Sequence, residues 1–429
     1  MSPIRGGENG ELAMEKHEKK KYSLPVRIIM IVVLVALVAV LGYIISLEVR
    51  QINAERSGSA AVQAAEATLT PEEEEQKAED EAAAEQARAE QEEQERLERE
   101  AAAKEAAQYS FYQKLSKGYD VKVLIMGDYV ISGAGASSES KAWYSLLKDQ
   151  LESEYFSDGK ATVEITNRAA SGNYALTDCL GLKQSEDEES FDLVVLCYGQ
   201  NEAEENFGLY FEALVRTVHE KYPDASVISV LEAAQGGYPN TMTAMQTVCK
   251  NYNIPVADTF KLCAADGIDA FMETLSSDSV SPSDKGHELY CQAIKEIIDE
   301  NVTADTGKSE SAEAFDSNAA LFGTIVYVPA DEMERTDDNT YSYSASTCKG
   351  MLMLYSSSEI TRDNCKMIAD DILYTLPKDG SVTDTDGNYL LTATSDLLLT
   401  QSMQLVFTDK DSADTLIGVY LIGESPETK

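Results

Sequence analysis

Basic residues are scarce: 35 Lys and Arg stand against 75 Asp and Glu in 429 residues, a formal net charge of −40. A surface of that sign repels phosphate backbones, which argues against nucleic acid as a partner and against anionic lipid headgroups outside any apolar span. Histidine is nearly absent, with His17, His219 and His287 far apart, and no Cys-x-x-Cys occurs. No metal site is therefore expected, and no cofactor. The seven cysteines make no disulfide framework. Cys197 sits inside an apolar run, where a free thiol behaves as a small hydrophobe. Cys348 and Cys365 stand alone in the last region and can pair in an oxidising compartment.

One long hydrophobic run is present. Residues 28–47 carry no charge over about 20 positions, enough to cross a hydrocarbon core of roughly 30 Å. The run is longer than a signal peptide's apolar region and lacks a small-residue cleavage site, so it reads as an uncleaved anchor. Lys16, Lys19, Lys20, Lys21 and Arg27 precede it, whereas only Arg50 and Arg56 follow closely. That asymmetry predicts a cytoplasmic tail at 1–27, a single membrane span, and the bulk of the chain outside the cell membrane.

Residues 48–117 read as an acidic stalk, almost wholly Glu, Ala, Gln, Arg and Lys between 71 and 108. Those residue types favour helix. Glu92 with Arg96, Glu95 with Arg99 and Glu100 with Lys104 have the favourable i,i+4 order. Leu97 is the one large apolar residue there, which supports a solitary charged helix better than a coiled-coil seam. Disorder is the alternative for this stalk.

From 118 to 301 short apolar runs alternate with amphipathic ones. Residues 121–126, 162–166, 193–198, 226–231 and 254–258 read as buried strands; 141–155, 208–222, 240–251 and 285–297 have helical spacing. Such alternation predicts an α/β domain with a parallel sheet covered on both faces and ligands beyond the C-terminal strand ends. A polar linker covers 302–318. Residues 319–429 show alternating runs at 321–328, 351–355, 403–408 and 415–422, separated by Lys378-Asp379-Gly380 and Thr385-Asp386-Gly387-Asn388. These predict a small all-β domain, a sandwich.

Four blocks in the α/β region carry the chemistry. Val123-Leu124-Ile125-Met126-Gly127-Asp128-Tyr129 ends the first strand, and residues 167–172 end the second. Gly199-Gln200-Asn201 follows the third, and Asp278-Ser279-Val280-Ser281-Pro282 lies before the last helix. In order and spacing these blocks resemble those of the SGNH (GDSL-type) esterase and lipase family. The resemblance implies a flavodoxin-like three-layer fold. It assigns oxyanion donation to Gly172 and Asn201 and the orienting carboxylate to Asp278. It also places the nucleophile at position 129 and the base at position 281, where this chain has Tyr129 and Ser281.

A phenol needs a base or a strong positive field to act as a nucleophile, and a serine is no base. Ser132, Ser171 and His287 lie close enough in sequence to stand in, although His287 also suits a capping or packing role. His219, late in a helix, suits the negative helix C-terminus. The expected function is a membrane-anchored, extracytoplasmic pseudo-hydrolase that binds cell-envelope polysaccharide or an envelope protein. The alternative is an esterase or O-acyltransferase acting on such a polysaccharide with displaced catalytic groups.

Overall fold

Strand β1 (Val121–Gly127) lies inside a five-stranded parallel sheet of order β2-β1-β3-β4-β5. Its partners are β2 (Val163–Asn167), β3 (Leu193–Cys197), β4 (Ser226–Leu231) and β5 (Val256–Asp258). The computed structural model describes residues 71–423 except 158, 160, 187, 200–205, 234–238, 309–312, 345–349, 358–363, 370, 375–380, 384–388 and 395–401. The tail, the apolar run 28–47, the first part of the stalk, Asn201 and Cys348 lie outside the described residues. No helix among the described residues is long and apolar enough to cross a membrane. The contacts discussed below lie within the compact unit Gln91–Lys429.

Why the strands read as unbroken apolar runs is visible in where alternate residues go. Val121, Val123, Ile125, Leu193, Val195 and Cys197 enter one core; Leu124, Met126, Val194 and Leu196 enter the other. The first core is closed by α3 (Trp143–Tyr155) and α9 (Asp284–Thr303), which follow α1 (Pro71–Ala106) and α2 (Phe111–Lys117) and the helices between. The second is closed by α4 (Ala175–Gln184), α5 (Phe207–Lys221) and α6 (Pro239–Asn251). Short helices α7 (Thr259–Cys263) and α8 (Ile268–Glu273) lead to the loop before α9. A sheet with apolar residues on both faces is stable only when both faces are covered, and three layers result.

Several elements depart from the sequence reading. Helix α4 was not anticipated; its glycine and its ten-residue length weaken the periodic signal, yet Leu176, Cys179 and Leu180 are buried. Residues 111–117, assigned to the stalk by composition, form α2, whose Phe111, Tyr112 and Leu115 enter the core. A capping box between Ser110 and Gln113 starts that helix, and the Ser110 hydroxyl donates to the Thr306 carbonyl at 2.5 Å. In α1, Arg96 pairs with Glu93 and Glu100 rather than with Glu92, and Leu97 is exposed.

The last region is a β-sandwich. Its strands are β6 (Ile325–Pro329), β7 (Glu334–Asp337), β8 (Thr340–Tyr343), β9 (Gly350–Tyr355), β10 (Cys365–Ala369), β11 (Ile372–Tyr374), β12 (Ser381–Thr383), β13 (Tyr389–Thr394), β14 (Met403–Phe407) and β15 (Leu416–Ile422). One sheet has the order β11-β10-β14-β8-β7, the other β12-β13-β9-β15-β6. Met351, Met353 and Tyr355 of β9 (Gly350–Tyr355) and Val419 and Leu421 of β15 (Leu416–Ile422) meet Met367, Met403, Leu405 and Phe407 of the other sheet. The intervening residues Leu352, Leu354, Tyr420 and Ile422 face the other way, into the core that contains Phe207, Phe211 and Leu214. Strand β9 is buried on both faces, so it carries no polar alternation.

The buried Glu212 carboxylate fixes the connection between the two domains. It accepts from the Phe315 and Asp316 N–H groups at 2.6 and 2.9 Å and from the Tyr252 hydroxyl at 2.8 Å. The linker is thereby held at its second half.

Candidate active-site cleft

The first block is shaped by a close approach of two strand ends. A Cβ on Gly127 would lie 2.3 Å from the Cys197 carbonyl oxygen and 2.6 Å from the Ile131 Cγ2, so only glycine fits. Beyond it Asp128 is buried; its N–H donates to the Cys197 carbonyl at 3.2 Å and its Oδ1 accepts the Val130 N–H at 3.0 Å. Val130 and Ile131 turn inward, while Tyr129 stays at the surface with 37% of its area exposed. The turn therefore presents residue 129 to solvent, as a nucleophile position requires, but presents a phenol. Ser132 caps this same turn: its hydroxyl donates to the Tyr129 carbonyl at 2.7 Å.

The second block is drawn to the first by backbone bonds. The Arg168 and Ala170 N–H groups donate to the carbonyls of Ile125 and Gly127 at 2.9 and 3.2 Å. Gly172 follows with φ near +91°, a conformation that favours glycine. The third block continues from β3 through the buried Tyr198 to Gly199, and Asn201 lies outside the described residues.

At the fourth block the Asp278 carboxylate is exposed but saturated. Its Oδ1 accepts the Ser276 hydroxyl at 2.7 Å and the Val280 and Ser281 N–H groups at 2.8 Å each; its Oδ2 accepts the Ser281 hydroxyl at 2.6 Å. Partial burial pushes this carboxyl up, but the bonds from Ser281, Val280 and Ser276 outweigh that and hold it down at about 2. Ser281, at the family's base position, thus spends its hydroxyl on the carboxylate that would orient a histidine. It is fully buried, and a Cβ on Gly135 would lie 2.9 Å from its Cβ and 2.2 Å from the Pro282 carbonyl oxygen. The backbone at Gly135 is therefore packed closely against residues 281 and 282.

His287 is buried with both ring nitrogens engaged. Its Nδ1 accepts the Trp143 N–H at 3.3 Å, so the neutral ring carries its proton on Nε2, 3.0 Å from the Ala134 carbonyl. Burial pushes its pKa down, against smaller opposing effects of the Ala134 bond and Asp284. Together with Asp284, which accepts the Ser137 N–H and hydroxyl at 2.8 and 2.7 Å, it pins the segment after Tyr129 to the start of α9. The structure therefore joins the Tyr129 and Asp278 blocks through residues 134–137.

Two carboxylates at this edge, Glu232 and Asp178, were missed by sequence reasoning, and Cys197, read there as a small hydrophobe, is buried beside the first of them. Cys197 is buried and its thiol donates to Glu232 Oε1 at 3.7 Å; burial, Glu232 and Asp128 push it far above the ordinary thiol value, so it remains protonated. Glu232 is itself buried, just past the end of β4. Asp178, in the first turn of α4, accepts a hydrogen bond from the Tyr198 hydroxyl. Burial pushes its carboxyl up to about 7, the Tyr198 bond and Arg168 oppose the rise, and Asp128 adds to it. Only a position just past a strand marks Glu232 in the sequence, and only one early in a helix marks Asp178.

Residues 125–289 match the model of the GDSL-like Lipase/Acylhydrolase family. No curated protein matches the chain. Among solved structures, a two-domain esterase active on acetylated mannans, co-crystallised with mannopentaose, has 13% identity and a TM-score of 0.51, covering 74% of this chain and 97% of its own. A second structure of a two-domain esterase active on acetylated mannans has 15% identity and a TM-score of 0.51, with 74% and 96% covered. At such identities the likeness is one of fold. The α/β region carries a GDSL/SGNH hydrolase-type domain.

Proposed function

We propose that the chain is a membrane-anchored pseudo-hydrolase whose cleft binds an acylated polysaccharide of the cell envelope without cleaving it. The observation that carries this reading is the state of the two family positions. Tyr129 replaces the nucleophile, and Ser281 is buried under Gly135 with its hydroxyl committed to Asp278. His287 has both ring nitrogens engaged and offers no substitute base. Ester hydrolysis by this mechanism needs a hydroxyl beside an imidazole, and neither family position supplies one.

What remains suits recognition. Gly172 offers a backbone N–H at the strand-end edge, Asn201 is its family counterpart, and the exposed Tyr129 ring can stack on a sugar face. The ligand class draws on the mannan esterases that share the fold, and the anchor and outward orientation on the run at 28–47 with its preceding lysines. An esterase or O-acyltransferase is the second reading, favoured by the same fold likeness; it requires a nucleophile other than the two family positions. Incubating the purified full-length chain with acetylated manno-oligosaccharides separates the two. Saturable binding with no acetate release supports the pseudo-hydrolase. Acetate release above background overturns it.

A further inference from the structure

Asp178 belongs to none of the four blocks, yet two of them reach it. From the chain beyond β3 the Tyr198 hydroxyl donates to Asp178 Oδ2. From the loop beyond β2 the Asn173 side-chain amide donates to the same oxygen at 3.4 Å and to the Arg168 carbonyl at 3.0 Å. Tyr198 immediately precedes Gly199, and Asn173 immediately follows Gly172. We propose that Asp178 is a positioning residue that ties the Gly172 loop to the Tyr198–Gly199 turn, so that the two donor turns of the cleft adjust together. The proposal rests on the reading of this edge as a ligand cleft and specifies how its two sides are coupled.

The chemistry of one carboxylate explains the coupling. An ionised carboxylate is acceptor-only and holds both donors; once protonated it gains an O–H donor and loses acceptor capacity, so the tie loosens. The groups that face it are Tyr198 from just beyond β3, Asp128 from just beyond β1 and Arg168 from the loop after β2. Arg168 is shared, since its guanidinium pairs with Glu189 at 3.1 Å and stacks over Phe191. Asp128 is itself buried, and its charge adds to the rise at Asp178. Burial with a like charge nearby places the carboxyl's titration at about 7, within reach of ordinary environmental pH.

Nuclear magnetic resonance of the full-length chain labelled with 15N-glycine tests the tie directly. The Gly172 and Gly199 amide signals, followed between about pH 5 and pH 9, should shift with one common midpoint near neutrality. Asp178→Asn should abolish that step at both glycines. Tyr198→Phe, which keeps the ring and removes the hydroxyl, should abolish it at Gly199 and leave it at Gly172. Separate midpoints at the two glycines, or a step surviving in Asp178→Asn, would overturn the proposal. Binding of acetylated manno-oligosaccharides, measured alongside, keeps the two ideas apart. A common step without binding removes the ligand reading and leaves the tie standing; binding without a common step removes the tie alone.

Discussion

Asp278 and Asp178 stand at the same edge of one sheet, and their surroundings push them in opposite directions. Asp278 is exposed and accepts four hydrogen bonds, which hold its proton off down to about 2. Asp178 is largely withdrawn from solvent and has fewer donors, and it keeps its proton up to about 7. The first lies in a block that the family resemblance singles out; the second does not. Donor count, set by a tight turn, decides one carboxylate, and burial decides the other. The Asp278 block is thus a tightly bonded turn, while the carboxyl that titrates near neutrality lies outside the four blocks.

The comparison can be broken most severely at Gly135, which seals the Asp278 side. Its φ is near +86°, and any Cβ would meet the Pro282 carbonyl oxygen at 2.2 Å. Gly135→Val should cost about 3–4 kcal/mol in chemical denaturation, from strain and overlap together. A loss below about 1 kcal/mol would mean the segment yields easily and that position 281 has room for a larger side chain.

Next in size is Asp178→Asn, whose magnitude depends on pH. The unfolded chain releases the Asp178 proton near its ordinary value of 3.8, whereas the folded protein keeps it up to about 7. Unfolding therefore releases a proton between those values, and stability falls as pH rises through that window and then levels off. The neutral amide escapes this. At pH above about 8 the variant should exceed the parent in stability by about 1–3 kcal/mol, a gain that shrinks to nothing towards about pH 4. A pH-independent difference in denaturation midpoints would show that Asp178 ionises normally.

The smallest effect belongs to Asp278. Its folded pKa is depressed, so its contribution is present above about pH 4 and lost as pH falls through about 2. Because the group is exposed, solvent screening should limit Asp278→Asn to below about 1 kcal/mol at neutral pH. A larger loss, measured by thermal unfolding, would show that the turn organises more than its own loop.

Much of the α/β fold was legible because a parallel sheet leaves its signature in apolar runs such as 193–197, which feed two cores at once. The first two blocks were legible for a related reason, since Gly127 and Gly172 are demanded by close approach and by a left-handed backbone. Other features were hidden. The apolar pattern of Gly350–Tyr355 gives no sign that alternate residues face a second domain. The residues of Phe111–Lys117 differ from the stalk only in three apolar side chains, and only contact with the core separates them from it. Asp178 looks like any acidic residue early in a helix; its partners are 5 and 20 positions away and meet it only in the fold.

The central claim is that a hydrolase frame has been kept without its reaction, and turnover of an activated acetyl ester tests it most directly. The native full-length chain should hydrolyse the ester no faster than heat-denatured protein, and Ser132→Ala and Tyr129→Phe should leave that background unchanged. Tyr129→Ser combined with Ser281→His should gain activity only once the segment at Gly135 makes room for the imidazole, because triad members act as a unit. Saturable turnover by the native chain that disappears in Ser132→Ala or Tyr129→Phe would contradict the account.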